Sequence, residues 1–164
     1  MVKNNKCMIN ENIIDKILPG LYLGGINSCK SDILSKYKIK VVLKVMPEFD
    51  IPLDQKLKDI QYFHIPIKDN DTCGIDINNL FDKCADTIYH KLMIEKKGNI
   101  LVHCKQGHHR SACIIGAFLI KYLNIDYITA VQYIKSIRPC ALRRNVCVSE
   151  CLINYYLYIK KINQ

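Results

Sequence analysis

The stretch Ile100-Leu101-Val102-His103-Cys104-Lys105-Gln106-Gly107-His108-His109-Arg110-Ser111-Ala112 carries the chain's clearest chemistry, a cysteine and an arginine with five residues between them. It reads as an apolar strand, a short basic loop with a glycine, and the start of a long apolar helix. Successive backbone N–H groups in a tight loop form a concave nest, and the first N–H groups of the following helix add to it. Such a nest selects tetrahedral oxyanions, and Arg110 can grip one through two parallel hydrogen bonds. Cys104 sits at its floor, where the helix N-terminus and Arg110 favour the thiolate. A thiolate beneath a bound phosphate is in line for attack on phosphorus.

The remaining sequence must hold that loop. Ile17-Leu18-Pro19-Gly20-Leu21-Tyr22-Leu23-Gly24-Gly25 predicts an edge hairpin about a Pro-Gly turn. Ser28 to Lys38 predicts a short helix, Lys40 to Val45 a central strand, and Tyr62 to Ile67 another strand. Residues 47–59 read as a loop or loosely formed helix. Asp69 to Ile75 reads as a polar loop, and Asp76 as the cap of a helix running to about Lys96, with Gly98 ending it. Ser111 to Leu123 is apolar almost all round, as in a buried helix. Asp126 caps the next helix, with Ile128, Val131, Ile134 and Ile137 on one face, and Arg138-Pro139 stops it. Val148, Cys151, Leu152, Tyr155, Ile159 and Ile162 mark a final amphipathic helix. The expected fold is α/β, a central, mostly parallel sheet flanked by helices. The loop lies at a strand's carboxyl end, where ligands bind in such sheets.

His103-Cys104-Lys105-Gln106-Gly107-His108-His109-Arg110-Ser111 resembles the signature of the cysteine-dependent protein tyrosine phosphatases, most closely their dual-specificity branch. Leu18-Pro19-Gly20-Leu21-Tyr22-Leu23-Gly24 is similar to the opening phrase of those domains, so the likeness covers nearly the whole chain. It implies residues 1–15 as an N-terminal arm and 16–164 as a catalytic domain of protein tyrosine phosphatase-like fold. It further implies hydrolysis of phosphotyrosine and phosphoserine/threonine through a cysteinyl-phosphate, with no metal or cofactor and with phosphoproteins as partners. Cys104 is then the nucleophile and Arg110 the group that binds phosphate and stabilises the transition state. Ser111 donates toward the sulfur and helps it leave. His103 is a hydrogen-bonding scaffold and not the general base.

The leaving oxygen needs a proton from a carboxylic acid reaching over the pocket. Ile65-Pro66-Ile67-Lys68-Asp69 matches the family's I-P-x-x-D phrase and nominates Asp69, whereas counting back from Phe81 nominates Asp71. Asp69 is favoured. Asn145 stands at about the family's spacing for a residue that braces the phosphate loop, and Arg143 and Arg144 read as a solvated basic turn or substrate contacts. Lys105, Gln106, His108 and His109 depart from typical members and make the loop more basic. Either they face outward while the backbone holds phosphate, or they favour highly phosphorylated groups such as inositol lipids or an RNA 5′ end.

At 164 residues the chain is one domain with an ordinary globular composition. Its formal net charge of +9 attracts phosphorylated or acidic substrates, and would equally suit RNA or an anionic membrane surface. Nine scattered cysteines without a C-x2-C pair argue against zinc and against a secreted disulfide framework, and fit a reducing cytoplasm. No signal peptide or membrane-spanning run is evident. A phosphoprotein-binding module without turnover and a sulfurtransferase are the other readings; the C-x5-R-S spacing and the aspartate loop weigh against the latter.

Overall fold

The computed structural model describes residues 12–47, 56–68, 76–144 and 146–164. Residues 1–11 of the arm expected over 1–15, most of the 47–59 loop, the aspartate loop with Asp69 and Asp71, and Asn145 lie outside the described residues.

Alternating apolar and β-branched runs build five strands: β1 (Ile14–Leu18), β2 (Leu21–Gly24), β3 (Ile39–Val45), β4 (Gln61–Ile65) and β5 (Asn99–His103). They form one sheet in the order β1-β2-β5-β3-β4. β1 and β2 pair antiparallel across Pro19-Gly20, where Gly20 has φ +83. The other pairings are parallel, so β5 is the central strand, hydrogen-bonded to β2 on one side and β3 on the other. Ile14 and Asp15 thus belong to the sheet, pairing with Gly24 and Leu23.

The helices are α1 (Ser31–Lys36), α2 (Ile77–Tyr89), α3 (Arg110–Leu123), α4 (Tyr127–Ile137) and α5 (Cys147–Ile162). Asp76 and Asp126 cap α2 and α4 as expected, accepting from Asn79 N at 3.1 Å and Thr129 N at 2.9 Å. α3 is buried from Arg110 to Ile120 and packs with α2 and α5 on the sheet face that carries Leu43, Ile100 and Val102. Each such aliphatic side chain contributes roughly 1.5–3 kcal/mol when fully buried, so the helix that starts at the end of the Cys104–His109 loop is also the centre of the core. A smaller cluster of Leu34, Ile39, Val42 and Leu101 lies under α1 on the opposite face.

Two expectations are corrected. The helix after Asp76 is α-helical only to Tyr89; His90–Glu95 is a π-helix, and the chain leaves it at Lys96, φ +51, ahead of Gly98. Ile128 is 63% exposed and does not share the buried face of Ala130 and Ile134, and Ile162 is likewise exposed. Cys140 is disulfide-bonded. Among the described residues no helix is long and apolar enough to cross a membrane.

Candidate active site

β5 ends at His103 and α3 begins at Arg110, so Cys104 to His109 form the loop between the sheet's central strand and its most buried helix. Gly107 has φ +74, and a β-carbon there would lie 2.5 Å from the carbonyl carbon and oxygen of Gly24. Only glycine tolerates both conditions. The glycine pair ending the hairpin is therefore the surface against which the loop is folded.

Four successive loop carbonyls are held by donors from outside the loop. Ile26 N donates to Lys105 O at 2.9 Å, and Leu142 N to His108 O at 2.8 Å. Arg138 donates from Nη2 to Gln106 O and from Nε to Gly107 O, both at 2.9 Å. In a planar trans peptide the carbonyl and the next residue's N–H point opposite ways. With the carbonyls of 105–108 turned outward, the N–H groups of Gln106, Gly107, His108 and His109 are turned to the other side. Gly107 N accordingly donates to Cys104 Sγ at 3.2 Å.

The sulfur receives a second hydrogen bond from Ser111 Oγ, also at 3.2 Å. Both donors point at the sulfur from the loop and from the helix start, fixing where it sits. Arg110 is buried and donates from Nη1 to Ile67 O at 3.4 Å, which ties the helix start to the segment leading into the aspartate loop. His103 is buried beside the nucleophile position; its Nδ1 lies 3.4 Å from Cys104 O, and Nε2 has no partner among the described residues. Burial pushes the His103 imidazole down to about 4, so it is neutral at physiological pH. A neutral, enclosed imidazole suits a scaffold.

Arg138 is the residue that sequence reasoning missed. Read as a helix stop, it is instead 3% exposed, and besides the two loop carbonyls it donates from Nη1 to Asn12 O at 2.9 Å and to Asp15 Oδ2 at 2.6 Å. Asp15 is buried on β1 and neutralises it. One guanidinium thus joins the edge strand, the catalytic loop and the turn after α4. Nothing local to Asp15 or Arg138 announces this, because the partners are 123 positions apart.

Cys104, Lys105, Gln106, His108, His109 and Arg110 line a cavity of about 190 Å³. Lys105 and Gln106 are exposed, and His109 Nδ1 lies 3.2 Å from Ser149 Oγ on α5. Arg143 is half-buried and Arg144 exposed, on the turn whose Leu142 supports the loop. Asp69, Asp71 and Asn145 are outside the described residues, so the structure brings together Cys104, Arg110, Ser111 and His103 of the expected set. Converging N–H groups, a guanidinium and a hydrogen-bonded sulfur form a cradle for a tetrahedral dianion above a nucleophile.

Comparison with known proteins agrees with this chemistry. Residues 21–156 match the family described as dual specificity phosphatase, catalytic domain. A probable dual specificity protein phosphatase of Dictyostelium discoideum is 33% identical over 150 residues, which span 92% of this chain and 36% of that protein. Dual specificity protein phosphatase 18 of Mus musculus is 32% identical over 147 residues, 89% of this chain and 74% of that one. The chain thus spans about a third of the first relative and three quarters of the second. The crystal structure of human DUSP28 superposes with a TM-score of 0.74 at 19% identity, covering 93% of this chain and 97% of that one, a likeness of fold. With its match over most of its length and its C-x5-R loop folded into an anion cradle, the chain belongs to the dual specificity phosphatases and carries the catalytic domain of a protein phosphatase.

Proposed function

We propose that the domain hydrolyses phosphotyrosine and phosphoserine/threonine on protein substrates through a cysteinyl-phosphate on Cys104. The observation that carries this reading is the loop itself, with its carbonyls of 105–108 tied outward around a sulfur that accepts two hydrogen bonds. The inward N–H groups and Arg110 bind the three non-bridging phosphate oxygens and hold their charge as the transition state forms. Cys104 Sγ bonds to phosphorus, the ester P–O bond breaks, and the leaving oxygen takes a proton from Asp69. Water then attacks phosphorus and gives a proton to the Asp69 carboxylate. The P–S bond breaks as Ser111 donates to the departing thiolate, releasing inorganic phosphate.

Asp69 is supported by position, since it follows by two residues the Ile67 whose carbonyl touches Arg110. The domain in this reading takes in Ile14 and Asp15 of β1 together with 16–164, with Asn145 helping the turn that Arg138 and Leu142 already anchor to the loop. The need to keep Cys104 as a thiol supports a cytoplasmic location. Phosphoproteins, and not nucleic acid, are the proposed partners.

The test is hydrolysis of p-nitrophenyl phosphate and of phosphotyrosine and phosphothreonine peptides. Cys104→Ser is expected to abolish turnover. Asp69→Ala is expected to lower kcat by about 10²–10⁴-fold and to remove the acidic-group limb of the pH profile. Full activity in Asp69→Ala with loss in Asp71→Ala would transfer the acid role to Asp71.

A further inference from the structure

At the opposite ends of the same strands lies a second and larger cavity of about 520 Å³. It opens where β3, β4 and β5 begin, whereas the catalytic loop leaves the carboxyl end of β5. Leu34, Ile39 and Ile60 give it an apolar floor, and Lys38, Lys40, Lys58 and Lys97 stand at its rim against one carboxylate, Asp59. The four lysines are exposed and take part in no salt bridge among the described residues, the pairs there being made by His90, Lys91, Lys121 and Arg138.

The rim is held by backbone. Asn99 N donates to Lys38 O at 3.2 Å, and Asn99 Nδ2 to Tyr37 O at 2.8 Å, locking the end of α1 to the start of β5. Gly98, φ +152, lies directly under the Lys40 stem, where a β-carbon would fall 2.3 Å from Lys40 Cγ. The turn that supplies Lys58 and Asp59 is closed by Ile60 N donating to Leu57 O at 3.1 Å.

We propose that this cavity docks an acidic peptide segment bearing one large apolar side chain, the side chain on the floor and the flanking carboxylates on the lysines. The size is that of an ordinary ligand pocket, and the charges are complementary. No aromatic ring lines it, as stacking of nucleic-acid bases would require. Leu34 and Ile39 are buried and Ile60 half-buried, with Leu57 the one exposed apolar residue of the lining at 37%, whereas binding to a membrane surface needs a protruding apolar face. β5 is five residues long, so the two sites are separated by at least about 17 Å of sheet, and one protein chain can reach both. A phosphoprotein that occupied both would gain effective concentration at the catalytic loop. That link to turnover rests on the phosphatase reading; the docking does not.

The experiment measures fluorescence anisotropy of a fluorescein-labelled Glu-Glu-Leu-Glu-Glu peptide with the full chain carrying Cys104→Ser. Saturable, salt-sensitive binding is expected, weaker by several-fold when the peptide's leucine is glycine. Lys58→Glu/Lys97→Glu, and separately Lys40→Gln, are expected to weaken it, the double reversal by about tenfold. In an otherwise native chain the same lysine substitutions are expected to leave p-nitrophenyl phosphate turnover unchanged. Binding that is absent, or that survives both substitutions, overturns the proposal. So does binding of phosphatidylserine vesicles that the substitutions abolish while peptide binding stays intact. If p-nitrophenyl phosphate is not hydrolysed at all while the peptide still binds, the phosphatase reading fails and the docking site stands.

Discussion

At position 107 the backbone has φ +74, and the space a β-carbon would need is occupied by the Gly24 carbonyl. Gly107→Ala must therefore push the loop off its support, and misplacing a catalytic group by about 1 Å costs on the order of 10²-fold in kcat. Gly116→Ala is the control. Its β-carbon would meet only the tip of the Leu152 side chain, at 2.6 Å, so about 1–3 kcal/mol of stability is lost while kcat holds. The neighbouring His103 makes stability depend on pH. Its folded imidazole titrates near 4 against about 6.5 in the unfolded chain, so only the unfolded state takes up a proton in that window. Stability is complete above about pH 6.5, falls as pH drops toward 4 by at most about 3 kcal/mol, and then levels. Urea midpoints across this range will show the slope, and His103→Asn will flatten it.

At the scale of elements, most of the architecture was legible because periodicity and caps agree. The Pro19-Gly20 turn, the β-branched run before Val45 and the Asp76 and Asp126 caps each point to the element that forms. Ile128 was misjudged for a geometric reason. Residues spaced strictly by three slip 60° per step around a helix, so 128, 131, 134 and 137 span half its circumference and cannot share one face. The π-helix at His90–Glu95 has no periodic signature over six residues, and its end is marked by a Lys96 N–H to Lys91 O bond that only coordinates reveal. In the site, Cys104, Arg110 and Ser111 were legible as a motif, while Arg138 was not, since a guanidinium bonding to carbonyls leaves no pattern in side-chain types. Asp76 belongs to the first group. Asp76→Ala is expected to lower stability by about 1 kcal/mol in denaturant titrations and to leave kcat unchanged, as befits a cap.

Across the whole molecule, the Asp15–Arg138 pair ties the sheet's edge to the loop at its centre. Arg138→Met leaves a buried carboxylate without its partner and two loop carbonyls without donors, which should cost about 3–5 kcal/mol and most of the activity. Asp15→Asn/Arg138→Met removes the stranded charge, so melting should recover in part while kcat does not. That split would separate the electrostatic role of the pair from its positioning of the loop. The same linkage governs the order in which a working enzyme is made. A ribosome delivers the hairpin first and the cysteine loop two-thirds of the way along, yet β5 must insert between β2 and β3, and the loop's carbonyls wait for residues 138 and 142. A nascent chain that already carries Cys104 therefore lacks the folded loop, and phosphatase activity is expected only once nearly the whole domain has emerged and closed upon itself.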